Sequence, residues 1–255
     1  MELTILGSGT CVPSAQRGSP ANFLKIGSTN ILVDCGPGTL RQVKKARLDY
    51  KDIDYVFLTH FHSDHIADLV PLLQALNWTP GFDRKKHLTI IGPVGLLEFY
   101  KTLLQLFPGA HPRRNTYEIN VIEMLPGAHT FTGGFCVKTL KTIHCKESIA
   151  YKFEAEDKKV VVSGDCGYNL DLAEFAKNAD IFVLECSFLR GFPDGHLNVG
   201  QCGAIASLAC PKKLVLTHLY PPFSESERME EVKSFFEDTA TNATIVAEDL
   251  MRIRI

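Results

Sequence analysis

Short apolar runs, broken by glycine, proline and polar clusters, recur along this chain and predict a dense series of strands and helices. Residues 2–6 read as a strand running into the turn Gly7-Ser8-Gly9-Thr10. Residues 22–26 and 30–34 read as two strands joined at Gly27-Ser28, a hairpin signal. A break at Gly36-Pro37-Gly38 precedes helical character over 39–47, and 54–59 is an apolar strand entering a histidine-rich stretch. Helical spacing follows at 66–78 and 94–107, divided by a strand at 88–91. Strand patterns occupy 117–124, 135–141, 149–154, 158–163, 181–186 and 214–217, with helices at 170–178, 200–209 and 225–239. Strands at 244–247 and 251–255 close the chain. Two halves, each with strands first and then strands alternating with helices, predict sheets packed between helices in one domain spanning 1–255.

Composition removes several classes of protein. With 255 residues, 45% hydrophobic and 22% charged, the chain is globular in balance and long enough to bury a core without staples. A net charge of -2 calls for neither nucleic acid nor an anionic membrane. No apolar run is long enough for a spanning helix, and the start lacks the basic region of a signal peptide, so a cytoplasmic location is expected. None of the eight cysteines forms a Cys-x-x-Cys pair. Cys145, Cys166 and Cys186, although each follows a polar residue of interest, read as small apolar packing residues in a reducing compartment. The basic loop residues Arg84, Lys85, Lys86, Arg113 and Arg114 read as solvated surface, with an anion-binding rim as the other reading.

The chemistry concentrates in Thr59-His60-Phe61-His62-Ser63-Asp64-His65, three imidazoles and a carboxylate straight after an apolar strand. In an extended segment His60 and His62 point the same way, while Asp64 and His65, at the start of the next helix, face a neighbouring point. Such a cluster can hold two metal ions side by side, provided other strand ends complete the ligand set. His144, Asp165 and His218 each follow a strand-like run, where ligands bind in α/β sheets. His87, His111 and His129 lie in polar loops and read as surface residues. A carboxylate at Glu185, ending a buried strand, needs a partner. Asp34, at the end of another apolar strand, reads as fixing the loop around Gly36 or bracing a histidine.

His60-x-His62-x-Asp64-His65, followed by His144, Ser163-Gly164-Asp165 and Leu216-Thr217-His218, resembles the ordered motifs of the metallo-β-lactamase fold hydrolases over nearly the whole chain. The opening Leu6-Gly7-Ser8-Gly9-Thr10-Cys11-Val12-Pro13, the segment Val33-Asp34-Cys35-Gly36-Pro37-Gly38-Thr39, and Leu184-Glu185 followed by Gly195-His196 are similar to the ribonuclease Z-like branch. The resemblance implies a four-layer αββα sandwich of two mixed sheets with two transition metals, usually zinc and in some cases manganese or iron. It implies that His60, His62 and His144 hold one metal, that Asp64, His65 and His218 hold the other, and that Asp165 bridges them. It further implies attack on phosphorus by a metal-bridging hydroxide aimed by Asp64, with His196, oriented by Glu185, protonating the leaving group.

Transfer-RNA-processing members of that branch carry a long protruding arm, and the stretch between His144 and Asp165 leaves room only for a strand hairpin. Ser63 stands where those enzymes usually have glycine and Pro37 where they often have glutamate. With the charge of -2, these departures favour a small or cyclic phosphodiester over transfer RNA. A ribonuclease Z-type processing enzyme, or a hydrolase of lactones, sulfates or other esters, is the alternative. The resemblance also carries an expectation of a homodimer.

Overall fold

Most strands are buried on both faces, as expected where a sheet lies between other layers. The structure, a computed structural model, describes residues 1–113, 116–125, 127–131, 133–191, 194–221, 232, 235–236 and 243–255. One seven-stranded sheet contains β1 (Glu2–Gly7), β2 (Ala21–Ile26), β3 (Thr29–Val33), β4 (Tyr55–Phe57), β5 (Leu88–Pro93) and β6 (Ile119–Met124). The second contains β7 (Gly127–Phe131), β8 (Phe135–Lys141), β9 (Ile149–Ala155), β10 (Lys158–Val162), β11 (Ile181–Glu185), β12 (Lys213–Thr217) and β13 (Thr244–Val246). The C-terminal β14 (Arg252–Arg254) returns to the first sheet, giving the orders β14-β1-β2-β3-β4-β5-β6 and β13-β12-β11-β10-β9-β8-β7. Both sheets are mixed. β3 to β6 and β10 to β13 run parallel, while hairpins join β1 to β3 and β7 to β10.

Three apolar layers fix this arrangement. Leu3, Ile5, Leu24, Phe57, Val137, Tyr151, Phe153, Val162 and Val183 fill the space between the sheets. The helices α1 (Thr39–Lys45), α3 (Leu69–Trp78) and α4 (Leu96–Leu106) pack on the outside of the first sheet through residues such as Val43, Leu72, Leu73 and Leu96. α5 (Leu170–Phe175) and α6 (Val199–Ala209) cover the second through Leu172, Cys202, Ile205 and Ala206. This is the four-layer αββα sandwich that the motifs imply.

Five local readings need correction or lie outside the described residues. The helix expected at 66–78 is two helices, α2 (Ser63–Ile66) and α3, because Asp68 turns back to accept the Leu40 amide at 2.9 Å. The strand β7, which carries His129, pairs with β8 where only a polar loop was expected; the turn signals at Pro126 and Gly127 hide it. Arg84 is not solvated surface but 2% exposed. Its guanidinium donates to the carbonyls of Lys51 and Ile53 at 2.7 Å and of His87 at 3.0 Å, and lies over the Tyr117 ring. Lys85 and Lys86 are exposed and pair with Asp83 and Asp54. Most of the helix expected at 225–239, and Arg114, lie outside the described residues. Among the described residues no helix is long and apolar enough to cross a membrane.

Asp180, between α5 and β11, joins the ends of three elements. It accepts from the Lys159 amide at 2.9 Å and the Lys212 ammonium at 2.8 Å, with Lys158 at 3.5 Å. Burial raises its pKa, but the Lys212 bond, the Lys159 amide and the two ammonium charges outweigh burial and hold it below the usual carboxylate range. A carboxyl depressed by folding stabilises above its unfolded pKa of about 3.9, and that contribution fades as pH falls through the folded value. Asp180→Asn is therefore expected to lower stability at pH 7 by about 1 kcal/mol, in keeping with largely exposed lysine partners. The gap to wild type should close in urea melts near pH 3; a gap that persists there contradicts the assignment.

Candidate metal centre

The site is built from the C-terminal ends of strands in both sheets. The loop after β4 presents His60 and His62 and leads into α2 with Asp64 and His65. The second sheet supplies His144 beyond β8, Asp165 beyond β10, Glu185 at the end of β11 and His218 just past β12. Glycines allow the two halves to approach. A Cβ on Gly36 would strike the Asp64 backbone, and one on Gly164, at φ +60°, would lie 2.8 Å from the Thr59 side chain. Gly36 is flanked by the Cys35 amide, which donates to the His65 carbonyl at 2.6 Å, so the histidine loop is pinned against the segment after β3.

Asp165 stands at the middle, and its two oxygens face two different sets of side chains. Oδ2 lies 3.7 Å from His60 Nε2 and 3.6 Å from His144 Nε2. Oδ1 lies 3.2 Å from His65 Nε2 and 3.3 Å from His218 Nε2. Those last two nitrogens are also 3.7 and 3.6 Å from Asp64 Oδ2. His62 Nδ1 completes the first set, 3.0 Å from His144 Nε2. The donor atoms of His60, His62, His144 and Asp165 lie within 4.8 Å of one another, as do those of Asp64, His65 and His218. Every metal-ligand candidate read from the motifs is thus brought together, in the two expected groups. His87, His111 and His129 belong to neither, nor does any cysteine. Cys145 turns its thiol to Ser148 instead.

Two buried carboxylates hold four of the imidazoles from behind. Asp34 accepts from His65 Nδ1 at 2.8 Å and from the Thr59 hydroxyl, which in turn accepts from His60 Nδ1 at 3.0 Å. Glu185 repeats the device. It accepts from His196 Nδ1 at 2.9 Å and from the Ser187 hydroxyl at 2.6 Å, and that hydroxyl accepts from His218 Nδ1 at 2.9 Å. The amides of Cys166 and Leu197 complete the Glu185 shell, so the carboxylate that needed a partner has four. His144 donates from Nδ1 to the Gly195 carbonyl. These bonds place the Nδ1 protons and turn the Nε2 lone pairs of His60, His65, His144 and His218 inward. Both Asp34, at φ 61°, and His218, at φ 57°, occupy the left-handed backbone region, conformations maintained by the surrounding packing.

The inward atoms fit a bound cation. His60 Nε2, His65 Nε2, His218 Nε2 and Asp165 Oδ1 are buried without a hydrogen-bond partner, an expensive arrangement that ligation would relieve. Protonation states agree. Burial, with the His65 charge, drives the His60 imidazole down to about 2, and burial lowers His144, leaving neutral donors. Burial raises Asp165 and Asp64, but the facing histidines outweigh it and hold both carboxyls below their ordinary values. His65 is the exception. Burial lowers it, yet Asp165 and Asp34 raise it well above the usual range, so a cation there would displace a proton.

The Beta-lactamase superfamily domain matches residues 29–219. The chain belongs to this superfamily. It is a metal-dependent hydrolase. Ribonuclease Z of Archaeoglobus fulgidus is 28% identical over 311 residues, covering 100% of this chain and 97% of that one. YhfI of Bacillus subtilis is 30% identical over 243 residues, 92% of this chain and 94% of that one. The crystal structure of YhfI, described as a metallo-beta-lactamase fold protein, superposes with a TM-score of 0.83, covering 99% of this chain and 98% of that one at 25% identity. Human tRNase Z, short form, shares the fold with a TM-score of 0.76 at 23% identity, over 100% and 99% of the two chains.

Several residues of this superfamily member escaped sequence reasoning. Ser187 was within reach, because side chains two apart in an extended segment face the same way, and Glu185 was already singled out. Thr59 adjoins His60 but shows no chemistry of its own. Lys141 donates to the carbonyls of Thr142, Cys145 and Ser148 at 2.9, 2.7 and 3.1 Å and so shapes the loop that carries His144. Arg113, for which an anion-binding rim was the other reading, pairs with Asp83 at 3.2 Å.

Proposed function

We propose that the protein is a dinuclear phosphodiesterase acting as one domain over 1–255, with small or cyclic phosphodiesters as substrates. The observation that carries the reading is the division of labour at Asp165, one oxygen toward His60 and His144 and the other toward His65 and His218. His60, His62 and His144 would hold one cation and Asp64, His65 and His218 the other, with Asp165 shared. The all-nitrogen-and-oxygen donor set suits zinc, with manganese or iron as substitutes. Such cations supply Lewis acidity to the phosphoryl group and lower the pKa of water toward neutrality.

The chain's own residues account for the remaining tasks. Asp64, ionised and facing both His65 and His218, accepts the hydrogen bond that aims the attacking water. His196 supplies the proton to the leaving alkoxide. Burial lowers its pKa, but the Glu185 bond and charge outweigh burial and raise it, so the donor form persists near neutral pH. Its Nδ1–H is committed to Glu185, which leaves Nε2 to face the substrate. The eight cysteines are free, and four of them, Cys35, Cys166, Cys186 and Cys202, are buried; the setting proposed for the chain is the reducing cytoplasm.

A second reading has support of its own. The ribonuclease Z relatives support cleavage of RNA at the same centre, and the comparisons favour that reading over the small diester. The alignment with the Archaeoglobus protein, however, spans 311 positions against 255 residues here, so at least 56 positions lack a counterpart in this chain. YhfI aligns over 243. A chain without that length has less surface with which to grip a folded RNA, and the proposal of a small diester rests on this difference alone. Hydrolysis of bis(p-nitrophenyl) phosphate, abolished by a chelator and restored by zinc or manganese, is the expected result. Absence of turnover with every metal would refute the reading, and faster cleavage of a precursor transfer RNA with a 3′ trailer would reverse the order of the two substrates.

A further inference from the structure

Beside the His196–His218 pair stands an aromatic wall that the chemistry above does not use. Phe188 and Tyr220 stack on each other, with ring centroids 5.0 Å apart and planes 18° from parallel. Tyr220 stands nearly perpendicular to both imidazoles, its centroid 6.2 Å from His196 and 5.9 Å from His218. Phe188 is 6.3 Å from His196. Both rings are half-buried and so keep part of their surface open. The Tyr220 phenol lies 3.9 Å from the thiol of exposed Cys11, which places the wall against the loop after β1. Val12, next to Cys11 in the chain, is 39% exposed, and the loops of Ile143, Gly167 and Gly195 meet beside His144, with Ile143 and Tyr168 54% and 43% exposed. Apolar and aromatic surface therefore borders a centre whose interior is made of imidazoles and carboxylates. Open aromatic surface at such a border has a use when the substrate brings a ring of its own.

We propose that Phe188 and Tyr220 form the subsite for the departing alcohol and select alcohols that carry a planar ring, a nucleoside above all, over aliphatic ones. The inference rests on the phosphodiesterase reading, in which His196 serves the leaving oxygen; rings adjoining His196 then flank the group attached to that oxygen. Water adds to phosphorus as the bond from phosphorus to the leaving oxygen breaks; that oxygen takes its proton from His196, and the proton shed by the water passes through solvent to reprotonate His196, so that the products are the phosphate monoester and the free alcohol. The wall moves no proton; it holds the ring, as specificity-determining residues do.

Two substrates with leaving hydroxyls of matched acidity isolate the effect: dithymidine monophosphate, and its counterpart in which the leaving nucleoside lacks its base. Wild type should prefer the complete dinucleotide by roughly tenfold in kcat/KM, the scale of one base stacked on an aromatic ring. Tyr220→Leu and Phe188→Leu should each erase most of that preference while metal content stays at the wild-type level. Tyr220→Phe, which puts the ring back, should restore it. Equal losses on both substrates, or a preference untouched by the leucine variants, would overturn the inference. If wild type hydrolyses bis(p-nitrophenyl) phosphate but shows no preference between the dinucleotides, the subsite falls and the phosphodiesterase reading stands. If no ester is cleaved, both fall.

Discussion

Asparagine at position 165 is expected to cost the protein metal and nearly all of its activity. The substitution keeps the shape of a side chain that is 3% exposed, so the fold should survive. What changes is one oxygen, which becomes an amide nitrogen with two hydrogens and no lone pair for a cation. Because the oxygens face separate histidine pairs, either rotamer spoils one set: His60 and His144 in one case, His65 and His218 in the other. We expect the loss of at least one metal ion per chain and a fall in kcat/KM of roughly a thousandfold or more, the scale on which catalytic metals act. Metal analysis and hydrolysis of bis(p-nitrophenyl) phosphate check it, with thermal melting to show that the chain is folded. A variant with wild-type metal content and rate would remove Asp165 from the centre of the scheme.

His196→Ala has the second large effect, and its size should depend on the substrate. Proton donation matters in proportion to the basicity of the leaving oxygen. An alkyl alcohol needs the proton; p-nitrophenolate departs without it. The expected loss is therefore roughly 10² to 10⁴-fold on an alkyl diester and less than about threefold on bis(p-nitrophenyl) phosphate. Glu185→Gln should follow the same pattern more mildly, roughly ten- to a hundredfold on the alkyl diester, since it loosens the imidazole without removing it. Losses of the same size on the two diesters would show that His196 acts through binding or folding and not as an acid.

The centre was legible because its chemistry is local in sequence. Three histidines and an aspartate fall within His60 to His65, and the remaining candidate ligands mark themselves by following apolar runs that read as strands. The layer order was legible for a similar reason: apolar runs flanked by helical spacing leave few ways to bury both. What escaped depends on contacts between distant segments. Arg84 looks solvated in a basic loop, yet three carbonyls from two loops enclose it. The apolar pattern over 66–78 runs on through the break that Asp68 imposes by bonding to α1, twenty-eight residues earlier. β7 is an edge strand whose pairing with β8 is invisible beside Pro126 and Gly127. Phe188 and Tyr220 carry no motif and become neighbours only when β11 and β12 lie side by side.

Asp34 sits at the junction of these dependencies. One of its routes runs directly to His65 and the other, by way of Thr59, to His60, residues that the scheme allots to different cations. Each pole keeps an anchor of its own, His144 on the Gly195 carbonyl and His218 on Ser187, but Asp34 is the one they share. A lesion at this carboxylate could not stay confined to one pole. His65 and His60 would lose their aim together, one imidazole at each pole.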